Sequence, residues 1–334
     1  MMFHLQRNSD KIRGGVMRNI LLAIFFLLSI PFISSSDVSS PVVFASKTEH
    51  PVIIDGVLDE PCWKDAVKID HFLDIYDNSK LAYPQTYFQV VYDDGNIYFG
   101  ITGMEPNIAD VVKEPFPRDS WPKGTSIEIF LDTNSDRATY YQFATNLGGG
   151  IFDSYNKDTK WNGNWKIATR TYNDRWSMEI AVPFSNFGMG TPKDGMRWGL
   201  NVCRNREGGI QYSSSWAAVG GDFHNPGKFN TLVFGGFDRW IKAEMENYRD
   251  LKEETLSFLK QQKQKERRIE AKIRRMDILM RDVQGMKNRI KDKKDINQIL
   301  PVYYRIQKIQ ALSQDIKDEI LVIRKLKKIE EAQQ

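Results

Sequence analysis

The residue pattern of this chain changes character at Phe237, and that break constrains the fold more than any other feature of its 334 residues. Upstream, from about residue 48, apolar and polar residues alternate in short runs bounded by Gly, Asn, Asp and Pro, the two-residue period of half-buried strands. Downstream a single glycine (Gly285) and a single proline (Pro301) remain, and apolar residues recur every three or four positions. A strand-built domain followed by helices accommodates both periods.

The clearest strand runs are Thr86–Tyr92, Ile97–Thr102, Ser126–Asp132, Tyr140–Asn146, Lys166–Tyr172, Trp176–Val182 and Arg197–Arg204. Asp93-Asp94-Gly95-Asn96 reads as a hairpin turn and Asn173-Asp174 as a second. Glu60–Ala66 is expected to form one helical turn. Many short strands with frequent turns predict an all-β sandwich, jelly-roll-like and antiparallel, rather than a parallel sheet. Beyond it, Met276, Met280, Val283, Met286 and Ile290 form one apolar stripe, and Tyr303, Ile306, Ile309, Leu312, Ile316, Ile320, Ile323 and Leu326 a second. Two long helices are expected, as a hairpin or as a coiled coil with a second copy of the chain, broken at Lys291-Asp292-Lys293-Lys294-Asp295, with Pro301 in the first turn of the second. Residues 241–334 carry 24 Lys and Arg against 16 Asp and Glu, so the tail is +8 and the rest −4.

The amino terminus reads as a leader. Met17-Arg18-Asn19 precedes a 14-residue run, Ile20–Ile33, that is apolar except for Ser29. That is short for crossing a hydrocarbon layer of about 30 Å, and it has the positive start and apolar centre of a secretion signal. Val43-Phe44-Ala45 is one expected cleavage site and the vicinity of Ser36 another; retention as an uncleaved anchor is the alternative. Residues 1–16 look unlike a signal, and Arg13-Gly14-Gly15 could be a translated ribosome-binding site, so Met17 is taken as the start. The organisation expected is thus a leader over 1–45 (signal 17–45), a sandwich over 46–237 and a basic helical tail over 238–334, in an exported protein at the cell surface, outside the cell or in the periplasm. The two cysteines, Cys62 and Cys203, lie beside apolar residues and read as buried free thiols, with a disulfide between them as the alternative. No Cys/His cluster suggests structural zinc or covalent haem.

Several segments, in order, resemble the family 9 carbohydrate-binding modules, sugar-binding domains often attached to xylanases. Ile53-Ile54-Asp55-Gly56-Val57-Leu58-Asp59-Glu60-Pro61-Cys62-Trp63 is similar to the family's opening. Val90–Phe99 is similar to its first hairpin, and Trp121 with Ser126–Asp132 to its most telling strand. Gln142–Asn146, Trp176–Phe184, Gly199-Leu200-Asn201, Ser215-Trp216 and Asn225–Phe229 follow. The resemblance spans about 185 residues and excludes the tail. It implies a non-catalytic module that holds a sugar ring between two aromatic faces, at Trp121 and Phe223, with Glu128 and Asn146 reading hydroxyls and Trp161 flanking the groove. The family's arginine two residues before that Asn is replaced here by Ala144.

The chemistry suits those residue types. Flat rings cover the C–H faces of a pyranose at little entropic cost, and carboxylate and amide groups satisfy the hydroxyls. The partner expected is a β-linked poly- or oligosaccharide, in a role in polysaccharide catabolism, with no nucleic acid; the tail could gather copies into a homo-oligomer. No cofactor is required. Asp132, Asn134 and Asp136 form an oxygen-rich loop, and a structural calcium ion is the cation such a loop would take; the resembled family binds one. No GxSxG, HExxH, phosphate loop or GxGxxG occurs, so catalysis is not expected. Two alternatives stay open: a structural or assembly protein with a degenerate sandwich, and a redox subunit binding haem non-covalently through His71, His224 or Met104.

Overall fold

The computed structural model describes residues 42–111, 113–207, 212–262 and 266–332. Among them the alternating runs form twelve strands: β1 (Val42–Lys47), β2 (Leu73–Asp74), β3 (Thr86–Tyr92), β4 (Asn96–Met104), β5 (Ser126–Asp132), β6 (Tyr141–Asn146), β7 (Ile151–Tyr155), β8 (Lys166–Thr171), β9 (Arg175–Pro183), β10 (Arg197–Arg206), β11 (Tyr212–Ser215) and β12 (Asn230–Phe234). Helices are α1 (Pro61–Asp65), α2 (Gly236–Lys260), α3 (Arg267–Lys287) and α4 (Ile296–Ala332). Both expected hairpins are present. The Asp93 carboxylate accepts the Gly95 and Asn96 N–H groups at 2.7 Å each to close β3–β4. Tyr172 N–H bonds the Arg175 carbonyl at 2.8 Å to close β8–β9.

The strands run in the order β7-β6-β5-β10-β12-β1-β3-β4-β9-β8, with β11 and β2 added beside β10. Pairing is antiparallel except at β1, which divides the path into two faces of a sandwich. Its first half, Val42–Ala45, pairs parallel with β12, and Ser46 and Lys47 pair parallel with β3. Alternate residues of each strand (Ile127 and Ile129, Val90 and Phe88, Ile101 and Phe99, Met178 and Ile180) fill the space between the sheets. One position shows how tightly. A methyl group added at Gly103 would lie 2.1 Å from the Trp176 indole. Gly103→Ala is therefore expected to cost about 3 kcal/mol through overpacking, read as a lowered midpoint in urea unfolding.

One of the two expected cleavage sites falls within a buried strand. Val42, Val43, Phe44 and Ala45 are fully buried and bridge the two sheets. Cleavage after Ala45 would remove that bridge, whereas a cut near Ser36 would leave it. The apolar run at 20–33 and the expected start at Met17 lie outside the described residues.

Three helices follow the sandwich where two were expected. The unforeseen one, α2, buries Phe237, Trp240 and Ile241 at its start and Leu251 and Phe258 farther on. Its stripe is interrupted because the first part rests on β1 and the later part on the other helices. Trp240 stacks 5.1 Å from Phe44 of β1 and 5.7 Å from Tyr303 of α4, which joins bundle and sandwich into one compact unit. α3 and α4 pair as an antiparallel hairpin within the chain: Lys272 meets Glu319 at 3.0 Å, and Asp282 meets Arg305 at 3.8 Å. Pro301 is the sixth residue of α4 rather than in its first turn. The helix starts earlier because the Asp295 carboxylate receives the Asn297 N–H at 2.9 Å and Ile299 is needed in the core.

Candidate functional site

On the outer face of the first sheet, one polar side chain from each of five adjacent strands joins a continuous hydrogen-bonded row. Ser213 (β11) donates to the Asn205 (β10) carbonyl at 2.8 Å, and the Asn205 amide donates to Glu128 (β5) at 2.7 Å. Gln142 (β6) donates to the other Glu128 oxygen at 2.7 Å and accepts from Ser154 (β7) at 3.0 Å. Glu128 is almost fully buried. Burial pushes its pKa up to about 7 against the lowering effect of the two amide donors, and the Asp222 charge adds to the rise.

Above Glu128 and Asn205 opens a groove of about 430 Å³, lined also by Tyr76, Trp121, Arg206, Asp222, Phe223 and His224. Two of its rings face solvent: Trp121 is 50% exposed and Tyr76 84%. Trp121 rests edge-to-face on Phe152 at 5.2 Å. Its loop is tied down on several sides. Arg118 reaches the buried Asp153 carboxylate at 2.6 Å, Glu207 accepts the Gly124 N–H at 2.9 Å, and Asn146 donates to the Lys123 carbonyl at 2.8 Å. The Tyr76 loop is built on Asp74, whose carboxylate takes the Tyr76 N–H at 2.7 Å, and Asn78 accepts the Gly220 N–H at 3.0 Å from the loop leading to Phe223. Arg206 is held from beneath by a two-pronged pair to Glu105, 2.8 Å at each prong.

Three expectations about this groove are corrected. Phe223 lines it but is only 8% exposed, because its ring fills an apolar hollow with Phe130, Tyr140 and Phe229. It supports the wall rather than offering a free face. Asn146 is fully buried; its amide donates to the Glu114 and Lys123 carbonyls and its oxygen accepts the Gly148 N–H, so it positions the Trp121 loop from outside the groove. Trp161 packs on Tyr141 and Phe143, whose strand positions face away from Gln142, and is not part of the lining. Tyr76 and Asn205 were not anticipated. An aromatic set within Asp74-Ile75-Tyr76-Asp77-Asn78-Ser79, where every neighbour but one is a turn-former, was the available signal for the first.

Residues 54–236 match the profile described as "Carbohydrate family 9 binding domain-like". The chain belongs to this family. Solved structures with similar folds include a family 9 module from Caldicellulosiruptor kristjanssonii in complex with cellotriose, 20% identical over 59% of this chain and 94% of that one, with a TM-score of 0.44. The complex of such a module from the same organism with glucose is 19% identical over 59% and 96%, with a TM-score of 0.44. No curated protein matches the chain.

In this family 9 domain, Ala144 lies directly across the β5–β6 ladder from Glu128, so the missing arginine would have stood beside that carboxylate. Amide donors from Gln142 and Asn205 meet it instead. In the oxygen-rich loop the Asp136 carboxylate accepts the Ala138 and Thr139 N–H groups at 2.8 Å each, which hold its pKa down at about 2, and Asp132 accepts the Arg137 N–H at 2.9 Å. Asn134 accepts the Asp136 N–H at 3.1 Å. The oxygens expected on calcium are engaged by the loop's own donors, and among the described residues no three His, Cys, Asp or Glu side chains gather as a metal site. Of the haem-ligand candidates, His71 is exposed beside Asp70, Met104 ends β4, and His224 lies at the groove, 2.7 Å from the Tyr140 hydroxyl. Cys62 and Cys203 are both free, and burial raises both thiol pKa values, that of Cys62 to about 11.

Proposed function

We propose that the groove binds a β-linked glycan, and that the chain is an exported, non-catalytic carbohydrate-binding protein acting in polysaccharide breakdown. One observation carries the reading: two solvent-facing rings, Trp121 and Tyr76, border a groove whose floor is a carboxylate–amide row. The rings can take the C–H faces of a sugar, and Glu128, Asn205 and Arg206 its hydroxyls. Burial of about 100 Å² of apolar surface gives roughly 2–3 kcal/mol, so single-site affinity is modest. A leader-like amino terminus supports export. The test is a glycan array with the full chain, followed by calorimetry with cello- and xylo-oligosaccharides. Absence of any glycan affinity would leave a scaffold, and a Soret band on the purified protein would favour the haem reading.

The raised pKa of Glu128 gives the site a pH signature. Ionised carboxylate accepts hydroxyl hydrogen bonds better than the neutral acid does, so affinity should rise several-fold between pH 6 and 8, across the pKa of about 7. Stability runs the other way. The folded pKa lies above the unfolded value of about 4.3, so the contribution of this group is full below that value and is lost as pH rises through 7. Calorimetry of Glu128→Gln should give a flat affinity profile over the same range; an unchanged slope would place the titrating group elsewhere.

A further inference from the structure

The outer face of the second sheet holds another concavity that the first groove does not explain. Across β3, β4 and β9, Tyr87, Thr102 and Ser177 stand in one register row, and Gln89, Gly100 and Glu179 in another two residues along, where the buried Glu179 carboxylate is taken up by the Asp55 and Gly56 N–H groups and the Trp63 indole N–H. Their sequence neighbours Phe88, Ile101 and Met178 fill the core, which places this row on the outside. At Gly100 the missing side chain lets Leu58 and Trp63 settle onto the strand; an added methyl would lie 2.9 Å from Leu58 Cδ2. The result is a hollow of about 280 Å³ between the Val57-Leu58 segment and the β8–β9 turn.

Its charge is one-sided. Lys68 and Arg175 line it, and among the described residues no carboxylate does. Lys68 Nζ sits 4.1 Å from the centre of the Tyr87 ring, and the Arg175 guanidinium 4.5 Å from that of Tyr172. Each cation is held in place by an aromatic face. Those faces are therefore occupied by cations, which disfavours the stacking of a neutral sugar and favours an anion. The hollow is also lined by Thr102, by Ser177, whose hydroxyl donates to the Gly56 carbonyl and can only accept from a ligand, and by Gln89, whose N–H groups go to the carbonyls of Trp63 and Ala66 and leave its oxygen as an acceptor. Arg175 also pairs with Asp174 at 3.0 Å, but both groups are substantially exposed and that pair exchanges at little cost.

We propose that this hollow is a second binding site, for a hexuronate residue of an acidic polysaccharide. Its carboxylate is drawn by the positive charge of Lys68 and Arg175, and its hydroxyls meet Thr102, Ser177 and Gln89. The anion preference follows from the charge of the hollow; the sugar nature of the ligand rests on the function proposed above. The two sites lie on opposite outer faces of the sandwich, so one molecule can engage two chains, and linked weak sites gain greatly in avidity.

The experiment is calorimetry of the full chain with trigalacturonate, cellotriose and inorganic phosphate at low and moderate salt. Trigalacturonate is expected to bind, to weaken as salt rises, and to lose at least tenfold in affinity in the Lys68→Ala/Arg175→Ala variant. Both side chains are exposed, so unchanged thermal unfolding of that variant is the control. Binding should persist in Trp121→Ala, which disables the first groove. The proposal is overturned if trigalacturonate does not bind, if the double variant binds it equally well, if Trp121→Ala abolishes it, or if phosphate competes as effectively as the uronide. Uronide binding by a chain that binds no neutral glycan on the array, cellotriose included, would sink the first groove and keep the second.

Discussion

Trp121→Ala is expected to reduce glycan affinity roughly 30- to 150-fold while leaving the fold intact. The estimate takes the about 2–3 kcal/mol attached to covering one sugar face with a ring. Half of the Trp121 surface faces solvent, and within the protein its aromatic contact is the edge-to-face pair with Phe152. Losing that pair costs about 1 kcal/mol of stability, so unfolding should move only slightly. The loop that carries Trp121 is held by Arg118, Asn146 and Glu207, none of which depends on the indole. Isothermal calorimetry with the best ligand from the glycan array, run beside a thermal melt, separates the two quantities. Undiminished affinity in a folded Trp121→Ala protein would show that the groove is not where sugar binds.

The largest effect on stability is expected at Glu105. This buried carboxylate receives Arg204 at 2.9 Å and the two-pronged contact from Arg206. Arg204 is itself buried, 5.3 Å from the Trp176 ring, and burial pushes its pKa down to about 10, so it stays charged at neutral pH. Glu105→Ala would strand that charge in the core, at about 3–5 kcal/mol. Removing both partners together, in Glu105→Leu/Arg204→Met, should restore most of the loss, because the penalty belongs to the unpaired ion rather than to the absent pair. Acid titration provides a second reading. Burial works to raise the Glu105 pKa, but the Arg206 hydrogen bond and the charges of both arginines outweigh it and hold it below the usual carboxylate range. The folded pKa being lower than the unfolded one, the contribution is present above about pH 4.3 and is lost as pH falls through the folded value. Urea midpoints measured from pH 7 down to 3 should therefore fall more for the wild type than for Glu105→Ala. Glu105→Ala also removes the two-pronged contact that holds Arg206 at the groove wall, so glycan affinity is a companion measurement.

Much of the fold was legible in the chain because its periods are local. Alternation over Thr86–Tyr92 and Ser126–Asp132 gave those strands their observed limits, and the Asp93 turn contained the side chain that closes it. Strand β1 escaped notice because four apolar residues with small neighbours read equally well as a processing site. Only the parallel partners β12 and β3, nearly 190 and 45 residues downstream, make it a strand. Helix α2 was hidden for a related reason, since its apolar residues answer to two different surfaces in succession.

The site shows the same division. The resemblance carried by the sequence singled out Trp121 on a loop and the strand carboxylate Glu128, and both line one groove. Tertiary packing decided which other residues join them. The outer-face hollow around Phe130 drew Phe223 inward, two main-chain carbonyls claimed Asn146, and the Asp74 turn brought Tyr76 to the rim. Exposure of a ring and the free valence of an amide are set by neighbours distant along the chain, whereas period and turn chemistry are set by neighbours within a few residues. That is why a strand could be read from the sequence and a binding face only from the folded protein.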